Sequence, residues 1–83
     1  MIIFSFEIDI MSISRNKRLL KRVGKKFALL RQKSDMPFSE ISRATELSVY
    51  KLKRFEAGEY DIFIDELFRL CEYYMVHPAD MIK

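Results

Sequence analysis

The chain has 83 residues, of which 49% are hydrophobic and 33% are charged, and its formal net charge is +3 at pH 7. A chain of this length forms one domain with a modest core, which buries roughly 60–65% of the unfolded surface. Two glycines and two prolines argue against an all-β sandwich, and one cysteine excludes an intrachain disulfide and a cysteine-based zinc site.

No apolar stretch approaches the ~18 residues that a membrane helix requires. The apolar N-terminus is interrupted by Glu7 and Asp9 and has no basic residue before it, so it is a poor signal peptide. We therefore expect a cytoplasmic protein with no membrane partner.

Residues 2–10 alternate, with one side apolar along its whole length. A period of two predicts a β-strand with one buried face. The rest of the chain offers no second strand, and an isolated strand is not stable. We expect residues 1–11 to pair with their own copy in a homodimer, through Ile2, Phe4, Phe6 and Ile8. The alternatives are an appendage along the domain and a frayed segment, since Met11 is a second possible start.

The second unit, residues 12–83, begins with a helix expected to run to about residue 33, with Ser12 or Ser14 as its N-cap. Four apolar residues recur at helical spacing and should face the core: Leu20, Val23, Phe27 and Leu30.

Positive charge is concentrated in this first helix. Between residues 10 and 34 there are nine basic residues and no acidic one: Arg15, Lys17, Arg18, Lys21, Arg22, Lys25, Lys26, Arg31 and Lys33. From Glu56 to the end of the chain the balance reverses, with seven acidic residues against Arg69 and Lys83. This asymmetry indicates a basic face for a polyanion, and the alternative is a solvated helix face that binds nothing.

Residues 38–58 contain two short helices joined by a turn that is too short for a third helix. Each helix should bury the side that carries its apolar residues, and the apolar positions of this stretch are Ile41, Ala44, Leu47, Leu52 and Phe55. Ser48 is placed to cap the second of these helices, and Gly58 ends it where a left-handed residue costs least. Pro37 separates the first of them from the preceding helix.

A further helix is predicted over residues 64–74, with Asp65 and Glu66 at the positive end of its dipole. His77 and Pro78 begin a last helical turn. Several apolar residues in this half exceed what a small core requires, and some of them are candidates for a dimer surface: Ile62, Phe63, Tyr73, Met75 and Met81.

With these elements in order, residues 23–82 resemble the phage repressor and Cro-like (Xre-type) family of helix-turn-helix transcriptional regulators. The resemblance rests on an ordered set of positions: Val23-Gly24, Phe27, Leu30 and Arg31; Ile41-Ser42; Leu47-Ser48; Leu52 with Phe55-Glu56-Ala57-Gly58; Ile64, Leu67, Phe68 and Cys71; and Val76-His77-Pro78. Phe38 stands where the family often has a phosphate-holding glutamine, and Glu46 stands at the turn glycine.

The resemblance implies that the third helix enters the major groove of double-stranded DNA. Arg54 then suits guanine, Val49 suits a thymine methyl group, and Tyr50 either offers its hydroxyl or stacks on a thymine methyl group. Other polar residues suit phosphates: Ser39, Arg43, Ser48, Lys51 and Lys53. The alternative is that Val49 and Tyr50 form a contact patch for another protein.

The resemblance also implies an ion pair between Arg31 and Glu56, which would join the first helix to the end of the third. The alternative is two independent surface charges.

The sequence contains no glycine-rich phosphate loop, no convincing Ser/His/Asp set and no clustered metal ligands. We therefore expect a non-enzyme without cofactor, metal or small-molecule ligand. The predicted fold is all-α, with five helices and an added N-terminal strand. The predicted function is a sequence-specific DNA-binding transcriptional regulator, a repressor that acts as a dimer; the alternative is a helix-turn-helix fold used as a protein-interaction module.

Overall fold

The computed structural model describes residues 16–82. This part of the chain is all-helical, with five helices that we number α1 (Lys17–Ser34), α2 (Phe38–Thr45), α3 (Val49–Glu56), α4 (Ile64–Tyr74) and α5 (Pro78–Met81). The predicted all-α class and the five helices are confirmed for these residues. The predicted strand, with Ile2, Phe4, Phe6 and Ile8, lies outside the described residues.

Helix α1 begins and ends on local hydrogen bonds. The side chain of Asn16 accepts a bond from the Leu19 N–H at 3.1 Å, so Asn16 is the N-cap and the predicted cap at Ser12 or Ser14 is wrong. Asparagine caps a helix as well as serine does, and it lies closer to the first core residue. At the other end Asp35 adopts a left-handed conformation with φ of 54°, which turns the chain toward Pro37.

The turn between α2 and α3 occupies only residues 46–48. Glu46 closes α2 in the left-handed region with φ of 62°, at a position where glycine would cost less. The Ser48 hydroxyl accepts a hydrogen bond from the Lys51 N–H at 3.1 Å, as predicted for an N-cap. Helix α3 ends at Glu56, and Gly58 beyond it has the predicted positive φ, 76°.

The core draws side chains from all five helices and from two connecting segments. Its buried apolar members are Leu20, Val23, Phe27, Ile41, Leu47, Leu52, Phe55, Ile62, Leu67, Leu70, Cys71 and Met81. Phe27 of α1 lies at the centre of an aromatic group, with its ring centroid 5.4 Å from that of Phe55 and 5.9 Å from that of Tyr74.

One predicted core position in α2 is wrong. Ala44 is exposed, and Thr45 takes the buried place with 1% of its surface accessible. Thr45 tolerates burial because its hydroxyl donates to the Ile41 carbonyl oxygen at 2.7 Å, so no polar atom is left without a partner.

Some of the apolar residues predicted as candidates for a dimer surface lie in the core, and others are exposed. Ile62 and Met81 are buried, so they are not part of a dimer surface on this domain. Phe63 and Met75 are 64% and 91% exposed.

Gly24 allows α1 to pack directly against the end of α3. A Cβ at this position would lie closer to the Phe55 carbonyl oxygen than van der Waals contact allows, and 3.1 Å from the carbonyl oxygen of Glu56. Both atoms belong to the backbone, so they cannot rotate away as a side chain would. A residue without a side chain is therefore required here.

We expect Gly24→Ala to lower the free energy of unfolding by about 1–3 kcal/mol, because overpacking outweighs the better helix propensity of alanine. Urea denaturation followed by circular dichroism measures this change. Lys25→Ala, at the next and exposed position of α1, is the control and should stay within about 0.5 kcal/mol of the parent. Equal stability of Gly24→Ala and the parent would contradict the close approach.

Burial raises the pKa of the Cys71 thiol from 9.0 to about 12. The unfolded chain then binds fewer protons than the folded one above pH 9, so the free energy of unfolding should fall as pH rises from 9 toward 12. Burial also raises the pKa of Tyr74 from 10.0 to about 12. Tyr74 therefore lowers the free energy of unfolding in the same way, but only once the pH approaches 10.

Urea denaturation of the parent and of Cys71→Ala, each at pH 8 and pH 10, separates the contribution of Cys71 from that of Tyr74. We expect the thiol to account for a loss of about 1 kcal/mol between the two pH values. Cys71→Ala should show a correspondingly smaller decline, whatever its stability at pH 8. An identical decline in both proteins would show that the thiol is ionised equally in the folded and unfolded states.

Candidate nucleic-acid interface

The outer face of α3 carries a ridge formed by Tyr50 and Arg54, which lie one helical turn apart. Leu52 and Phe55 are buried on the opposite face and fix the direction of this ridge. Tyr50 is 68% exposed. We call Tyr50 and Arg54 the α3 ridge.

Two hydrogen bonds hold the Arg54 guanidinium on the ridge. Its Nη1 donates to the Tyr50 hydroxyl at 3.0 Å, and its Nη2 donates to the Glu59 carbonyl oxygen at 3.2 Å. A guanidinium has five N–H donors, so the others remain free for a partner in front of the ridge. The side chain is thus partly ordered before anything binds.

Lys51 flanks the ridge on the side of α4. Its Nζ lies 3.6 Å from the Glu66 carboxylate and 5.6 Å from the centroid of the Tyr60 ring. Its pKa is raised, first by the hydrogen bond to Tyr60 and also by the charge of Glu66. The expected phosphate contact by Lys51 therefore competes with an intramolecular one.

Glu66 is a buried carboxylate, with 5% of its surface accessible. It accepts hydrogen bonds from the Tyr60 hydroxyl at 3.0 and 3.1 Å and from the Phe63 N–H at 3.0 Å. The pKa of Tyr60 is raised, mainly by burial and further by this carboxylate. Glu66 thus connects α3, the 59–63 loop and the first turn of α4.

Lys53 flanks the other side of the ridge and contacts α2. Its Nζ lies 5.6 Å from the centroid of the Phe38 ring, and the Cζ of Arg31 lies 4.1 Å from the same centroid. Phe38 therefore gathers two cations at the start of α2. Each such contact contributes about 0.5–1 kcal/mol at an exposed site.

Arg31 forms an ion pair with Glu56, joining the end of α1 to the end of α3. The Nε of Arg31 donates to both carboxylate oxygens, at 2.8 and 3.1 Å. A single nitrogen makes both contacts, whereas arginine often pairs with a carboxylate through two nitrogens. The pKa of Arg31 is raised, first by this hydrogen bond. Both side chains are largely shielded from solvent, with 22% and 12% exposure.

Arg69 of α4 holds the end of α2. Its Nη1 donates to the Thr45 carbonyl oxygen at 2.9 Å, and its Nη2 pairs with Asp65 at 3.0 Å. The four-residue spacing of Asp65 and Arg69 is a sequence signal for the ion pair. Nothing in the sequence indicates the bond to Thr45, because that contact depends on how α2 and α4 pack.

The remaining residues of the predicted interface lie around the ridge. Ser39 and Arg43 share an exposed side of α2, where Arg43 lies 3.8 Å from Glu40. The Ser48 hydroxyl is used as the α3 cap, and Val49 is half-buried. Structure and sequence therefore agree most closely on Tyr50 and Arg54 as the outward-facing pair.

Within residues 16–82 no cluster of His, Cys, Asp and Glu side chains could hold a metal ion. None of the helices in that range has the length and apolar character needed to cross a membrane.

Removal of the buried carboxylate should destabilise the domain. In Glu66→Ala the Tyr60 hydroxyl, the Phe63 N–H and Lys51 all lose their acceptor, so we expect a loss of about 2–4 kcal/mol in urea denaturation. Asp65→Ala is the matched control at the next position. Its side chain is 70% exposed, and within residues 16–82 it pairs with Arg69 alone, so the loss should stay below about 1 kcal/mol. Equal losses in both variants would contradict the role of Glu66.

No protein-family model, curated protein or solved structure matches the chain. The resemblance to the phage repressor and Cro-like family therefore stays a prediction from the sequence pattern.

Proposed function

We propose that this protein binds double-stranded DNA sequence-specifically, with α3 in the major groove, and acts as a transcriptional regulator. The α3 ridge is the observation that carries the proposal. It projects a partly ordered guanidinium next to a phenol hydroxyl from a short helix, and arginine pairs with the O6 and N7 atoms of guanine in two-point geometry.

The surroundings of the ridge suit the phosphate backbone. Arg43 and Ser39 on α2 and Lys53 on α3 are exposed beside it. Phosphate contacts of this type orient a protein on the duplex, while the ridge reads base edges. The two short helices and the three-residue turn provide the compact frame that this mode of docking requires.

A dimeric repressor is the form of this function that we favour. It would place two α3 helices about 34 Å apart, one turn of DNA, and block a promoter by occupying it. A dimer surface would use the strand predicted within residues 1–11 or the exposed apolar side chains Phe63 and Met75.

The second candidate function is a protein-interaction module. The observation that favours it is the composition of the ridge itself, because exposed tyrosine and arginine are enriched at the energetic centres of protein interfaces. A protein interface would not depend on DNA, so the two functions are distinguished by whether DNA is bound with sequence preference.

Selection of bound duplexes from a random pool, at about physiological salt, tests the proposal directly. We expect an enriched inverted repeat, with a dimeric mass in solution. In Arg54→Gln the preference for guanine at one position of each half-site should be lost, at a cost of about 1–3 kcal/mol for the best sequence.

Arg43→Gln is the matched control, since it removes the same charge from an exposed position on α2. It should weaken binding to all sequences alike and leave the enriched sequence unchanged. A parent protein that enriches no sequence would overturn the proposal and favour the protein-interaction module.

A further inference from the structure

The outer face of α1 carries a dense row of positive charge that is separate from the α3 ridge. At about 100° per residue, its exposed cations fall on one side of the helix. They are Lys17, Arg18, Lys21, Arg22, Lys25 and Lys33. We call these six residues the α1 cationic face.

Nothing in the described part of the chain neutralises this face. Helix α1 contains no acidic residue, and none of the six side chains forms an ion pair within residues 16–82. Arg31, on the buried side of the same helix, pairs with Glu56, and Lys26 donates to the Asp80 carbonyl oxygen at 3.2 Å. The six charges therefore face solvent together.

The arrangement opposes the stability of α1 itself. Lys17, Lys21 and Lys25 follow one another at four-residue spacing, and each like-charged pair costs a few tenths of a kcal/mol. Lys17 and Arg18 also stand at the positive end of the helix dipole, where cations are unfavourable. A bound polyanion would relieve both effects.

The α1 cationic face and the α3 ridge lie on different helices, each on the side away from the core that the two helices share. Helix α1 turns its buried side toward α3, through Gly24 and through Phe27, whose ring lies against Phe55. Helix α3 turns Leu52 and Phe55 inward to the same core. The aliphatic part of Lys21 lies against Gly58, just beyond α3, so the two surfaces are neighbours at that edge. Because they lie on different helices, a duplex seated on the α3 ridge need not be the one that lies along α1.

We infer that the α1 cationic face is a second binding surface, which takes the phosphate backbone of nucleic acid without reading its sequence. Four of the six cations are lysines, which bind phosphate as point charges, whereas lysine is depleted from protein–protein interfaces. A membrane surface would require an apolar face to insert, and α1 already buries its apolar face in the core; Leu29 is the large apolar side chain exposed on its outer side.

Two surfaces on one domain make bridging possible. The α3 ridge would hold one duplex, while the α1 cationic face holds a second duplex or a distant part of the same one. The inference does not require the α3 ridge to read base edges, so it goes beyond the proposed function and can be tested separately from it.

The test compares two triple variants of the full chain with equal loss of charge. The first is Lys17→Gln, Lys21→Gln and Lys25→Gln on α1. The second is Arg43→Gln, Lys53→Gln and Arg54→Gln around the α3 ridge. Glutamine keeps the helix propensity of lysine nearly unchanged, so melting curves should show that the α1 variant is folded and no less stable than the parent.

Affinity for a duplex of random sequence is measured by fluorescence anisotropy between 50 and 200 mM salt. We expect the affinity of the α1 variant to be at least about 10-fold weaker than that of the parent. Its plot of log K against log salt should be less steep by about 2–3, because three phosphate contacts are removed. Bridging is measured as capture of a labelled duplex by a bead-bound duplex, and the α1 variant should lose it.

Each outcome has a defined meaning. An unchanged salt slope and unchanged bridging in the α1 variant would overturn the inference and leave a solvated helix face. Loss of binding to vesicles containing phosphatidylserine, with duplex binding unchanged, would overturn it in favour of a membrane surface. If the α3 variant has no effect on sequence preference while the α1 variant loses bridging, the proposed function fails and the second surface stands.

Discussion

The direct packing of α1 against the end of α3 is the constraint on which the rest of the structure depends. Gly24 has no Cβ to hold the two backbones apart, and Arg31 of α1 pairs with Glu56 of α3. The backbone contact and the ion pair lie about two turns apart on α1. Together they fix both the distance and the rotation of α3, and therefore the direction in which the α3 ridge faces.

Helix α4 supplies the second set of restraints, and these are polar. Glu66 holds Lys51 and the 59–63 loop, and three residues later Arg69 holds the carbonyl end of α2. The two helices of the predicted interface are short, and isolated helices of that length are not stable in water. Their relative orientation therefore depends on α1 and α4 more than on the turn that joins them.

The sequence predicts most of the local structure because the signals are local. The bounds of α4, the cap at Ser48 and the positive φ of Gly58 all follow from spacing and from the chemistry of single residues. Hydrophobicity alone could not predict that Thr45 is buried and Ala44 exposed, because a threonine can be buried when its hydroxyl bonds a carbonyl oxygen of its own helix. The burial of Glu66 depends on Tyr60 and Lys51, which only the tertiary packing brings to it.

The charges of this small domain divide into two kinds. Around the α3 ridge, Lys51, Lys53 and Arg54 each contact an aromatic ring, and two of them contact an oxygen of the protein as well. Such side chains are partly ordered in advance, so less conformational entropy is lost when they bind, and their positions can discriminate between ligands. Within residues 16–82 the α1 cationic face makes no contact of these two kinds. Unrestrained lysines attract a polyanion at a distance and bind it in many registers. Cations with fixed positions and cations without them are thus suited to different tasks: in our proposals the α3 ridge selects a sequence, and the α1 cationic face retains nucleic acid without selecting it.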